Sequence, residues 1–222
     1  MYGQIEGPYW DDRPVAVIGG GPSLRGFDFE RLRGCHVLAV KGSIFDIPWA
    51  DAGFGLDMPR YIEWREKLAV VQSRVYWAVP EDQLRTAGPP PTDNITFLKR
   101  RDGNKISDDP SVIYGGGTSG FGALQICIHK MARTIVLLGF DYDGAYEKAN
   151  LTGQGFRHND QHYQRKRLQN AANWRAWAQH FEVYSPYFND NGIRIVNACP
   201  ASAIMCFQKM TLRDGVNLLK AE

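Results

Sequence analysis

A short apolar run, Pro14-Val-Ala-Val-Ile18, breaks directly into Gly19-Gly20-Gly21-Pro22-Ser23. Consecutive apolar residues without polar alternation describe a strand covered on both faces. Such strands belong to parallel sheets sandwiched by helices. The same grammar repeats along the chain: His36–Val40, Ala52–Leu56, Arg74–Val79, Ile95–Leu98, Thr134–Leu138 and Ile193–Val196 read as further strands. Between them, Phe27–Leu32, Pro59–Val70, Phe121–Met131 and Tyr163–Phe181 read as helices, the second with proline in its first turn. This alternation predicts one α/β domain, Rossmann-like, with a mostly parallel sheet and helices on both faces. Its expected bounds are residues 14–208, with 1–13 an N-terminal extension and 209–222 a C-terminal tail.

A chain of 222 residues suits one domain with a substantial core, and 44% hydrophobic with 23% charged residues excludes global disorder. The net charge of +2 gives no strong general attraction to nucleic acid or anionic membranes. Two basic clusters, Lys99-Arg-Arg101 and Arg165-Lys-Arg167, read first as solvated faces and second as steering groups for an anionic acceptor, a glycan or DNA. Met1–Arg13 has no basic-then-apolar leader, and no apolar run approaches the roughly 20 residues a membrane span needs. A cytoplasmic protein without a membrane span is expected, and a homo-oligomeric one. Cys35, Cys127, Cys199 and Cys206 form no C-x-x-C pair, so reduced and mostly buried thiols are expected.

Three motifs carry the chemistry. Gly19, Gly20 and Gly21 follow a buried strand, so their backbone N–H groups can approach a phosphate, with the Ser23 hydroxyl as a further donor. Pro22 completes the loop. The motif lacks the lysine of a P-loop, and Leu24 stands where a dinucleotide fingerprint needs its third glycine. The alternative is a tight structural turn. The second motif, Gly115-Gly-Gly-Thr118-Ser119-Gly120, precedes a helix and serves either as a plain N-cap or as a place for a ligand against the helix N-terminus. The third is the polar stretch from Gly139 to His162, with Asp141, Tyr142, Tyr146, His158, Asp160 and His162; residues 142–161 within it read as a lid or loop over a site. Histidine moves protons near neutral pH and tyrosine donates to phosphate oxygens. His158 and His162 stand four apart, a metal-ligand spacing on a helix, but the glycine-rich lead-in argues against a continuous helix there. In a parallel sheet the glycine loop, Asp57, Gly115–Gly120, Asp141 and Asn197 converge at the carboxyl ends of strands.

Together these motifs resemble the superfamily joining the bacterial sialyltransferases, glycosyltransferase family 42, with the archaeal-type 6-hydroxymethylpterin pyrophosphokinases. In length and motifs the chain is most similar to uncharacterised tailed-phage members, which would place it in the host cytoplasm. The resemblance spans residues 14–208 in four blocks: Ile18-Gly-Gly-Gly-Pro-Ser-Leu24, Gly55-Leu-Asp57, Thr118-Ser-Gly120 with Leu137-Leu-Gly-Phe-Asp141, and Val196-Asn-Ala-Cys-Pro200. It implies a nucleotide-sugar donor, CMP-sugar-like or other, held by the two glycine turns. It also implies Tyr142 and Tyr146 on the departing phosphate and His162, or its competitor His158, as general base. The chain departs from the family at Gly20, at Lys41 or Gly42, and at Asp57, where the family carries asparagine. Asp57 suits a diphosphate with Mg²⁺ or a ribose hydroxyl. Besides a glycosyltransferase, an ATP- and Mg²⁺-dependent pyrophosphokinase and a non-catalytic nucleotide-binding protein are the expected alternatives.

Overall fold

The computed structural model describes residues 1–103, 105–142 and 171–221. Among these, nine strands form one sheet: β1 Val15–Ile18, β2 His36–Val40, β3 Ala52–Gly55, β4 Arg74–Pro80, β5 Ile95–Arg101, β6 Val112–Tyr114, β7 Thr134–Leu138, β8 Arg194–Asn197 and β9 Gln208–Lys209. Their spatial order is β6-β5-β4-β3-β2-β1-β7-β8-β9, and every neighbouring pair runs parallel. The expected α/β sheet is therefore present and wholly parallel. The described helices are α1 Ser43–Asp46, α2 Met58–Leu68, α3 Leu84–Ala87, α4 Ser119–His129, α5 Ala171–Asp190 and α6 Leu212–Lys220. None is long and apolar enough to cross a membrane.

Strand periodicity splits the core into two layers. Val15, Val17, Leu38, Val40, Phe54 and Tyr76 face one side, with Phe121 and Leu124 of α4 and Phe181, Tyr184 and Phe188 of α5. Ala16, Ile18, Val37, Ala39, Val75 and Trp77 face the other, with Tyr61 and Trp64 of α2 and Val216 and Leu219 of α6. Both faces are covered, which is why the strands read as unbroken apolar runs.

Several elements differ from expectation. Phe27–Leu32 forms only a 3-10 turn, Phe29–Leu32, capped by the Asp28 carboxylate accepting from the Glu30 amide. The strand expected to end at Leu98 runs further: β5 continues to Arg101 and pairs with β6, Lys99 opposite Val112. Only pairing with a neighbour makes so polar a segment a strand. Helix α5 runs past Phe181 to Asp190, because Tyr184 and Phe188 prolong its buried stripe.

The terminal segments belong to the body of the domain. Thr211 caps α6 by accepting from the Asp214 amide, and Val216 and Leu219 are buried. At the other end the Gly3, Ile5 and Trp10 amides donate to the carbonyls of Phe97, Pro110 and Lys130. Lys130, itself 3% exposed, donates its ammonium to Glu6 O and Pro8 O. All four cysteines are free thiols, Cys127 and Cys199 buried, Cys35 and Cys206 half-buried.

Candidate functional site

The chain moves outward from β1 through β6 on one side, then crosses back over the sheet by α4 to place β7 on the other side of β1. At such a reversal the loops leaving two adjacent strands part in opposite directions and open a crevice at their carboxyl ends. Here those loops are Gly19–Ser23 after β1 and Gly139–Tyr142 after β7, whose parent strands pair Ile18 with Leu138.

The glycine loop lies down on the end of β7. The Gly19 amide donates to Leu138 O at 2.7 Å and the Gly21 amide to Gly139 O at 2.8 Å. Ser23 donates twice to the Asp141 carboxylate, N–H to Oδ1 at 3.0 Å and hydroxyl to Oδ2 at 2.8 Å. A Cβ at Gly21 would stand 1.7 Å from Asp141 Oδ2, so only glycine fits. This corrects the expected phosphate nest. The amides of Gly19, Gly21 and Ser23 are taken within the chain, Pro22 has none, and the anion held by the loop is Asp141 itself. Among the described residues, the Gly20 amide has no hydrogen-bond partner.

The facing wall is the start of α4. Thr118 is its N-cap, Oγ1 accepting from the Phe121 amide at 3.1 Å. Ser119 is 4% exposed, and its buried hydroxyl has no partner among the described residues. Phe140 joins the two walls: a Cβ built on Gly19 would meet its ring at 3.0 Å, and one built on Gly120 at 2.8 Å. Tyr142 donates its hydroxyl to Thr118 Oγ1 at 3.4 Å. Burial pushes the Tyr142 phenol up to about 12, against the opposing hydrogen bond to Thr118, so it stays a neutral donor across the physiological range. Its backbone is left-handed, φ 53°.

Sequence reasoning missed two residues here. His180, on α5, places Nδ1 2.5 Å from Gly116 O. A carbonyl only accepts, so Nδ1 carries a proton and donates it to Gly116 O. Spacing along α5 gave no sign of this, because the Gly116 turn reaches His180 only through the packing of α5 over α4. Ser202 is the second. Its hydroxyl donates to Phe140 O at 2.6 Å, Asn197 Nδ2 donates to the same carbonyl at 3.3 Å, and the Ala203 amide donates to Asp141 O at 2.8 Å. The loop after β8 thus holds the Phe140–Asp141 turn in place. Trp174, Trp177 and Phe181 stand at helical spacing along α5. Phe181 is buried, while Trp174 and Trp177 are half-buried, Trp174 lying edge-on to Tyr142 with ring centroids 5.4 Å apart.

A charged cluster continues along the same edge. Lys41, directly after β2, pairs with Asp57, directly before α2. Arg100 of β5 donates to Leu56 O at 3.2 Å. Burial works to raise the Asp57 carboxyl, but Lys41, Arg100 and Arg60 outweigh it and hold the group below the usual carboxylate range. Lys41 is also left-handed, φ 55°.

Tyr146, His158 and His162 lie outside the described residues, as does Arg165-Lys-Arg167. Of the carboxylates expected for Mg²⁺, Asp57 is paired with Lys41 and both Asp141 oxygens accept from Ser23, and no three His, Cys, Asp or Glu side chains gather among the described residues. Compared with protein-family models and with curated protein sequences, the chain matches none. The resemblance to the sialyltransferase superfamily therefore rests on its motifs.

Proposed function

We propose that this protein is a nucleotide-dependent transferase, with a nucleotide-sugar as donor, bound in the crevice between β1 and β7. The observation that carries the reading is the buried Ser119 hydroxyl, without a described partner, at the N-terminus of an eleven-residue helix across Phe140 from the glycine loop. A helix N-terminus favours phosphate, and a buried hydroxyl without a partner costs about 1–3 kcal/mol unless a ligand meets it. The donor phosphate lies against Ser119 and the Gly20 amide. Asp141 is a positioning residue that ties the two loops together. Tyr142, a neutral phenol, donates to the leaving phosphate, and a histidine takes the acceptor proton. His180 stands beside the Gly116 turn for that task, with His158 and His162 as the positions the family resemblance implies.

The test is calorimetric titration with CMP, CDP, UDP and ADP and with a CMP-sugar. At least one is expected to bind, and Ser119→Ala is expected to weaken it by about tenfold without lowering the melting temperature. No binding at millimolar concentration, or binding indifferent to Ser119→Ala, overturns the reading. Donor turnover slowed in Tyr142→Phe, with donor affinity kept, separates a transferase from a protein that only binds.

A further inference from the structure

The cluster beyond the glycine loop is not balanced within itself. Lys41, Arg60 and Arg100 stand against Asp57 and Glu63, Arg60 pairing with Glu63 and Lys41 with Asp57. Arg100 is the third cation, and it pairs with neither of these two carboxylates. Its Nε is buried without a hydrogen-bond partner among the described residues, and its nearest carboxylate, Asp102, lies 3.7 Å away on a side chain 97% exposed. An exposed carboxylate at that distance compensates a half-buried guanidinium poorly.

The start of α2 points the same way. Asp57 occupies the N-cap position of this eleven-residue helix, yet its side chain makes no capping hydrogen bond, because it is turned to Lys41. The first amides of α2 are thus left without a side-chain cap, next to the lysine and the arginine. Lys41 holds a left-handed backbone that a lysine adopts at a cost, and Gly42 directly follows it. Ser43, next along, donates its hydroxyl to Gly19 O at 3.0 Å, which fixes this corner against the glycine loop.

We propose that Lys41, Arg100 and the first turn of α2 form a second anion subsite, at the carboxyl ends of β2, β3 and β5, that takes a phosphoryl group. The group is either the distal phosphate of a nucleoside-diphosphate donor or a phosphate on the acceptor. That choice rests on the transferase reading, whereas the subsite does not. Arginine and lysine are the side chains that recognise phosphoryl oxygens, and a guanidinium with a buried N–H still to satisfy gains most from one.

Calorimetric titration of the full chain with inorganic pyrophosphate at low salt tests the subsite. Wild type is expected to bind, with affinity falling as salt is raised, and Lys41→Met and Arg100→Met are each expected to lose about tenfold or more. Lys41→Gly suits the left-handed backbone, so it is expected to fold at least as stably as wild type and still lose pyrophosphate. No pyrophosphate binding by wild type, or binding unchanged in Lys41→Gly, overturns the subsite. Paired titrations with a nucleoside mono- and diphosphate of one base then locate the phosphate. A diphosphate advantage that vanishes in Lys41→Gly assigns it to the donor. Equal affinities with pyrophosphate binding retained assign it to the acceptor. Pyrophosphate binding through Lys41 with no nucleotide binding sustains the subsite and removes the transferase reading.

Discussion

Asp141 decides the shape of the crevice, because one carboxylate satisfies two donors of Ser23 and excludes a side chain at position 21. Asp141→Ala leaves both donors unmet and should lower the unfolding free energy by about 2–4 kcal/mol. Asp141→Asn should cost about half as much, since the Ser23 hydroxyl can turn to accept from the new amide. Urea denaturation of the two variants measures the difference, and two variants as stable as wild type would show that the tie is idle. Asp57 acts through charge. Its folded pKa lies below the ordinary 3.8, so its contribution is present above that value and is lost as pH falls through the lowered folded value. Melting temperatures between about pH 2 and pH 6 should therefore drop at the acid end, and Asp57→Asn should flatten that drop. The partly exposed position keeps the effect small.

The start of α4 separates two hydroxyls that sequence alone would treat alike. Thr118 accepts from the Phe121 amide and from Tyr142, whereas the Ser119 hydroxyl has no described partner. Thr118→Ala should cost about 1–2 kcal/mol, whereas Ser119→Ala removes an unmet buried hydroxyl and should leave the unliganded protein at least as stable as wild type, by up to about 1–3 kcal/mol, both read by denaturant unfolding. A large loss in Ser119→Ala would mean that the hydroxyl serves the fold and not a ligand. Helix α6 gives a second comparison. Leu219 is 3% exposed against the sheet, so Leu219→Ala should cost about 2–4 kcal/mol, far above what substitution in a loose tail would do.

Across the molecule, the reversal between β1 and β7 gathers loops from distant parts of the chain onto one edge, while the N-terminal segment packs into the core layer that also holds Phe121 and Phe140. Residues 1–10 bury Ile5 and Trp10 and supply the carbonyls that hold the Lys130 ammonium. Deleting them strands a buried cation and exposes a tryptophan-sized hollow. Unfolding free energy should fall by at least about 3 kcal/mol. Lys130→Met in the truncated chain should recover part of the loss, and an unchanged melting curve after deletion would show that the segment is dispensable.

Local patterning made the fold class legible: apolar runs such as Val15–Ile18 and Thr134–Leu138, short and each stopped by glycine, read as strands covered on both faces, and they are. It also marked Gly19–Ser23, Asp57, Thr118–Gly120 and Asp141 as residues that follow the carboxyl ends of strands. Periodicity could not reveal β6, β9 or the polar end of β5, which are strands because a partner lies beside them. Nor could it say how the groups of the crevice pair. The amides of Gly21 and Ser23 are donors in any reading of the sequence, yet whether they meet a ligand or Asp141, 118 positions away from Ser23, depends on which strand lies beside β1. The same holds for His180 at Gly116 and for Arg100 beside Asp57. Hydrogen bonds and ion pairs act over a few ångströms, and in a parallel sheet those few ångströms are set by strand order, which no local run of residues encodes.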